Sequence, residues 1–166
     1  MGKLTFPTAD CLLSHMRLNG LGLVWTVPTS NRIKSGDRVG CLGSNGYRWA
    51  GFKGVSYSEH QLVWIDSRKE QPPDLIDHIN GIRDDNRPQN LRAASRSQNA
   101  ANGLAHIDNS TQVMGVHKHH DGRWPAQISI LGKRHHLGCY ETLSEARRAY
   151  HDAAKMYFGE YTRLEN

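Results

Sequence analysis

An acid and an imidazole stand side by side at Asp77-His78, and two amides, Asn90 and Asn99, follow at steps of twelve and then nine residues. Imidazole has an ordinary pKa of about 6.5, so it can take a proton from water near neutral pH. A carboxylate and an amide oxygen are hard donors; they can hold an ion such as Mg²⁺ while leaving most of its shell to water and substrate oxygens. A base beside a divalent Lewis acid is equipment for hydrolysing a phosphodiester, where charge builds on the scissile phosphate and the leaving oxygen. Asp-His alone is a common surface pair. The full spacing carries the reading.

The elements that must position these groups are legible nearby. The apolar pair Leu75-Ile76 precedes Asp77 and a turn signal, Asn80-Gly81, follows His78, so His78 is expected at a strand end running into a loop. Pro88 is read as excluding helix at Gln89, and Leu91 to Ala94 as a short returning strand. Ser95-Arg96-Ser97-Gln98 has the spacing of a capping box, which places Asn99 in the first turn of a helix. The expectation is strand, loop, strand, helix. Arg83, Arg87, Arg92 and Arg96 surround this centre and suit the phosphodiester backbone, where contacts position a protein without reading sequence. Arg96, three residues before Asn99, is the first choice among them.

Asp-His, then Asn-Leu, then Asn at these spacings resembles the HNH endonucleases of the phage and group I intron type, over about Gly46 to Asn102. The resemblance implies a ββα-metal fold. It also implies His78 as general base, Asp77 and Asn99 as ligands of Mg²⁺ or Mn²⁺, and Asn90 as the amide that braces the loop and orients His78. Many members carry His where Asn99 stands, and the amide favours an oxygen-ligated ion over zinc.

With 21 Lys and Arg against 16 Asp and Glu, the formal charge of the 166-residue chain is +5, which suits a polyanionic partner. Only 37% of residues are hydrophobic, and no apolar run approaches the roughly 20 residues that span a bilayer. No signal-peptide pattern opens the chain, and Cys11, Cys41 and Cys139 are too few and too scattered for a disulfide framework or a CxxC zinc site. A cytoplasmic protein with no obligatory protein partner is expected.

Residues 1–45 read as an N-terminal lead-in. Leu12, Leu13, Met16 and Leu18 suggest a short amphipathic helix, and Leu23 to Val27 a strand ended by Pro28. Residues 46–102 hold the nuclease domain. Tyr47 to Tyr57 suits two strands, with Arg48 and Lys53 as possible phosphate contacts, and Ser58 to Gln61 has capping-box spacing before Leu62-Val63-Trp64-Ile65. His60 packs against the site or acts in it; it is not read as a ligand.

Residues 103–111 read as a linker, and 112–166 as three antiparallel strands and a helix. The strands are expected at Val113–His119, Arg123–Ile130 and Arg134–Tyr140, joined at Asp121-Gly122 and Gly132-Lys133. Trp124, Ala126, Ile128 and Ile130 alternate onto one face. Thr142 to Glu145 is a capping box, Gly159 a stop, and Ala146, Ala149, Tyr150, Ala153, Ala154 and Tyr157 the buried helix face. Gly115-Val116, Gly122-Arg123-Trp124, Ala126-Gln127-Ile128, His136-Leu137-Gly138 and the Ala-rich helix make this unit similar to the APETALA-type, or ethylene-response-factor, DNA-binding domain. That resemblance implies a sheet entering the major groove through His117, His119, Gln127, Ser129, Arg134 and His136. Met114, Pro125 and Ser129 stand where Arg is common in that family, so fewer bidentate contacts to guanine are available. The many His residues are not read as a zinc site, since no Cys pair closes one.

The expectation is an α+β protein: a ββα-metal HNH nuclease module followed by a three-stranded antiparallel sheet packed on one helix. Its expected activity is metal-dependent hydrolysis of double-stranded DNA by a free-standing phage homing-type enzyme. The alternative is a DNA-binding regulator with a non-catalytic HNH fold.

Overall fold

The computed structural model describes residues 6–52, 54–103 and 111–163. Lys53 and most of the expected linker lie outside them. The chain forms two compact units, Met1–Ala93 and Ala94–Asn166, each a mixture of helices and small antiparallel sheets.

In the first unit, α1 (Phe6–Leu13) is followed by a hairpin of β1 (Met16–Asn19) and β2 (Gly22–Trp25). The expected helix through Met16 and Leu18 is thus cut short. Ser14 and His15 turn the chain back on Asp10 and Leu12, and Met16 pairs with Trp25 instead. A three-stranded antiparallel sheet follows, in the order β3 (Cys41–Leu42), β4 (Arg48–Phe52) and β5 (Val55–Ser58).

Next comes α2 (Glu59–Arg68), whose buried residues are Glu59, Leu62, Val63, Trp64 and Ile65. Four successive apolar residues exceed the stripe of a surface helix and mark a helix enclosed on several sides. Their neighbours in the core include Leu12, Leu23, Trp25, Val39, Ala50, Ile76 and Leu91. The expected capping box at Ser58 does not form: its hydroxyl donates to Gln61 Oε1 at 2.6 Å and makes no cap to the backbone.

The unit closes on β6 (Ile76–His78) paired with β7 (Leu91–Ala93), in register Ile76↔Ala93, Asp77↔Arg92 and His78↔Leu91. A single 3-10 turn spans Pro88–Asn90, where helix was excluded. Proline is tolerated at the first position of such a turn because its missing N–H is not needed there.

In the second unit, α3 (Arg96–Ala101) carries a complete capping box between Ser95 and Gln98, and Ala101 joins the unit's core. β8 (Trp124–Ile130) and β9 (Lys133–Tyr140) form a hairpin with a register shift at Ala126/Gln127, packed on α4 (Leu143–Phe158). The sheet therefore has two strands and not three. Val113 to His119 meets the backbone of the hairpin through an isolated bridge, Val116↔Ala126, whose bonds run from the His117 N–H to the Pro125 carbonyl and from the Gln127 N–H to the Gly115 carbonyl, and through a further bond from the His119 N–H to the Arg123 carbonyl. The reason is local. Gly115 has φ of 68°, Val116 N–H turns back to the Val113 carbonyl, and the Thr111 hydroxyl spans the Val113 and Val116 carbonyls.

The capping box at Thr142–Glu145 is present, and α4 buries Ala146, Tyr150, Ala154 and Phe158 at four-residue steps. Tyr157, expected inside, is 51% exposed, because the stripe continues to Phe158.

Gly115 is also confined by space, since a Cβ there would strike the Gln127 carbonyl oxygen and the Tyr150 ring. Gly115→Ala is expected to destabilise the second unit by about 2–4 kcal/mol through strain and lost packing. Chemical denaturation followed by tryptophan fluorescence at Trp124 would show the shifted midpoint.

Candidate active site

The short β6–β7 pair delivers Asp77 and His78 from an edge of the core. Both are buried, at 3% and 4% exposure. Strand alternation turns them to opposite sides of the pair, and each meets a different partner. Asp77 Oδ2 accepts from Arg92 Nε at 2.8 Å and lies 2.8 Å from Arg92 Nη2, its cross-strand neighbour. His78 Nε2 lies 2.9 Å from Asn86 Oδ1, and the Asn86 Nδ2 group donates to Glu59 Oε2 at 2.7 Å.

Asn90 closes the loop between the strands. Its Nδ2 donates to the Asp85 carbonyl at 2.7 Å and to Asn80 Oδ1 at 3.0 Å, while its Oδ1 accepts the Asn80 N–H at 3.0 Å. Asn80 Oδ1 also accepts the Ile82 N–H, and Gly81, with φ of 70°, turns its N–H to the His78 carbonyl. Two facing amides thus replace the backbone ladder that a loop cannot make. The Asn-Gly signal in the sequence is this turn.

The arginines take unequal places. Arg87 chelates Asp85, Nε to Oδ1 at 2.7 Å and Nη2 to Oδ2 at 2.6 Å, and this pair holds the Asp85 carboxyl down at about 2, with Asn80 assisting. Arg83 is exposed, lies over the Tyr47 ring at 5.2 Å and donates to the Asn45 carbonyl. Arg92 is engaged by Asp77 and is only 12% exposed. Arg96 is exposed at the first position of α3. Asp77, His78 and Asn90 lie in the first unit and Asn99, on α3, in the second.

His60 belongs to an aromatic triangle with Tyr47 and His78, its ring 5.3 Å from the first and 5.6 Å, edge-on, from the second. Its Nδ1 is buried without a hydrogen-bond partner. Burial, and secondarily the neighbouring His78, lower its pKa to about 4. His78 is also held below its ordinary value. Burial is the main cause; the Asn86 contact and the charges of Asp77 and Asp85 oppose it, and Arg83 adds to it. Both rings are therefore neutral near pH 7, the state in which an imidazole can accept a proton.

Sequence reasoning missed Glu59 and Asn86. Glu59 has 0% exposure, and its Oε1 accepts the Leu23 N–H at 2.9 Å while Oε2 lies 3.3 Å from Arg38 Nη2. A glutamate at the first position of a helix ordinarily reads as a solvated partner of the helix dipole. The signal available was the run Leu62 to Ile65, which implies a helix enclosed on several sides and hence a buried start.

In the second unit, four of the expected DNA contacts form two cross-strand pairs, Gln127↔His136 and Ser129↔Arg134, so they share one face of the hairpin. Ser129, Arg134 and His136 are exposed and Gln127 is half-buried. His117 is exposed outside the strands, and His119 lies 2.9 Å from Asp121, which also holds Arg123.

Residues 57–101 match a family model described as HNH endonuclease. A search of curated proteins found no match, and a search of solved structures found none either. The matched segment holds His60, Asp77, His78, Asn86, Asn90 and Asn99. Such a domain implies phosphodiester hydrolysis on a nucleic acid with a divalent ion. Among the described residues, no helix is long and apolar enough to cross a membrane.

The donor chemistry at Asp77 fits a hard ion. Among the described residues no three His, Cys, Asp or Glu side chains gather as a closed site would need, but an ion completed by water and phosphate does not require them.

The buried His60 makes stability depend on pH. The unfolded chain takes up this proton below 6.5 and the folded chain only below about 4, so stability falls as pH drops through that window. The loss is on the order of 3 kcal/mol at most. His60→Phe keeps the ring packing and removes the proton, so its urea midpoint is expected to change less than wild type between pH 6.5 and 4. Equal slopes in the two proteins would refute this.

Proposed function

We propose that this chain is a metal-dependent endonuclease that hydrolyses phosphodiester bonds in double-stranded DNA, of the homing type that the resemblance implies. His78 is the general base, Asn90 braces its loop, and Asp77 with Asn99 holds Mg²⁺ or Mn²⁺. The observation that carries the reading is a buried imidazole held by Asn86 at the end of β6, next in sequence to a carboxylate and followed by a loop locked by Asn90, within a segment that matches HNH endonucleases.

The chain's own work is positional. His78 takes a proton from a water aligned against the phosphate, and the amide lock on the 79–90 loop keeps the ring from swinging away. When bound, the ion supplies Lewis-acid stabilisation of the charge that develops on the phosphate and leaving oxygen. Arg83 and Arg96, both exposed, are the stronger candidates for backbone contact, since Arg87 and Arg92 already meet carboxylates. The second unit reads duplex DNA through the hairpin face of Gln127, Ser129, Arg134 and His136, with His117 and His119 beside it, as an APETALA-type module would. Tethering this reader raises the nuclease's effective concentration on the same DNA.

The test is cleavage of supercoiled plasmid with Mg²⁺, Mn²⁺ or EDTA, with duplex binding measured in parallel. His78→Ala is expected to lower cleavage by about 10²–10⁴-fold while binding persists, and EDTA to abolish cleavage. Tight duplex binding without cleavage under any metal would replace this reading with that of a non-catalytic DNA-binding regulator. Arg134→Ala should instead weaken binding by about 1–3 kcal/mol if it reads a base, or flatten the salt dependence by about one ion if it meets phosphate. An unchanged affinity and salt slope would remove the hairpin from the DNA interface.

A further inference from the structure

The Asn86 amide lies between two groups of opposite demand. On one side is Glu59, a carboxylate ion-paired with Arg38, whose oxygens can only accept; on the other is one nitrogen of the His78 ring. An amide has one donating and one accepting end, so fixing either end fixes both. Glu59 Oε2 at 2.7 Å demands the Nδ2 donor, which turns Oδ1 toward His78, 2.9 Å away. An amide oxygen facing a ring nitrogen requires that nitrogen to carry the proton.

We propose that Glu59 is a positioning residue that acts through Asn86 to hold neutral His78 in its Nε2–H tautomer, leaving the lone pair on Nδ1. The hydrogen-bond chain stands independently of any activity; its consequence for catalysis rests on the nuclease reading, in which Nδ1 is then the atom that receives the proton from water. Glu59 touches neither substrate nor ion in this role. Its 0% exposure and its further anchors, the Leu23 N–H and Arg38, keep the carboxylate from rotating out of the chain.

The substitution Glu59→Gln keeps the shape and replaces one acceptor with a donor. The new amide oxygen can then serve Leu23 or Asn86, but not both. When it serves Leu23, Asn86 must flip, presenting Nδ2 to His78 and calling for a proton on Nδ1. The second substitution in Glu59→Gln/Asn86→Asp restores the pattern. The carboxylate then placed at position 86 can only accept, from the introduced amide at position 59 on one side and from His78 Nε2–H on the other.

The measurement is long-range ¹H–¹⁵N correlation of the imidazole rings in the full chain at a pH where His78 is neutral, its signals assigned with His78→Gln. Wild type is expected to show Nε2–H alone, Glu59→Gln a mixture with Nδ1–H, and the double variant Nε2–H again. Plasmid cleavage with Mg²⁺ should follow: a fall in kcat of about ten-fold or more in the single variant with KM little changed, and recovery in the double.

Nδ1–H in the wild type overturns the proposal without any variant, so a single variant that fails to fold leaves the test intact. Cleavage lost in Glu59→Gln with the tautomer unchanged also overturns it, reducing Glu59 to a structural support. The expected tautomers in all three proteins without cleavage by the wild type would uphold the chain and count against the nuclease reading instead.

Discussion

A carboxylate with none of its surface exposed is costly unless its lone pairs are used, and Glu59 makes the first unit meet that demand. Leu23 supplies a backbone N–H from β2, Asn86 an amide from the loop before β7, and Arg38 a guanidinium from the stretch between the hairpin and β3. Arg38 also meets Asp84, and Arg48 from β4 donates to the same Asp84 carboxylate at 2.7 Å. Even Gly22 answers to it, because a Cβ there would strike Glu59 Oε1. Residues from before the matched segment therefore complete the surroundings of His78. The lead-in is part of the site's support, not a separate cover.

Around that anchor the site is held by amides. Asn80, Asn86 and Asn90 supply donors and acceptors to a loop whose backbone has no strand to pair with. Amide pairs suit this work, since each side chain offers both functions in a fixed plane and none adds charge. Buried polar networks of this kind are stable only when every member is satisfied. Removing one amide strands its partners. Among the described residues three buried donors or acceptors stand outside this pairing, Arg38 Nε, Trp64 Nε1 and His60 Nδ1, and burial, with His78 beside it, lowers the pKa of the His60 ring.

What the sequence disclosed was what local chemistry decides. Asn80-Gly81 and the Ser95 and Thr142 boxes depend on residues within a few positions of one another, and all three form. The reading failed where a distant partner decides, or where a nearby side chain takes a contact that spacing alone does not specify. Met16 has the spacing of a helix with Leu12, yet pairing with Trp25 makes it a strand. Val113 to His119 has the composition of a strand, yet Thr111 and Gly115 curl it into a turn. Ser58 has a capping-box spacing, yet its hydroxyl prefers the Gln61 side chain. Asn86 sits in an acidic loop that looks solvated, and only the fold shows that it faces a buried glutamate.

The arginines show the same limit in charge. Residues 77–92 hold Arg83, Arg87 and Arg92 against Asp77, Asp84 and Asp85, so this stretch carries no formal net charge. Arg87 and Arg92 are moreover spent on carboxylates within the stretch, while Asp84 is met by Arg38 and Arg48 from outside it. A phosphate approaching His78 would meet paired charges and not an open basic ring. On the nuclease reading, attraction at the reacting phosphate must then come chiefly from a divalent ion and, within the first unit, from exposed Arg83. Arg92 is left a different task. Half-buried across the strand from Asp77, it holds the carboxylate in place by a bidentate contact, and an ion at Asp77 would have to share that oxygen with it. On the nuclease reading, that competition would moderate the affinity for metal, and substrate phosphate, which brings further oxygens to the ion, would be the partner that completes the site.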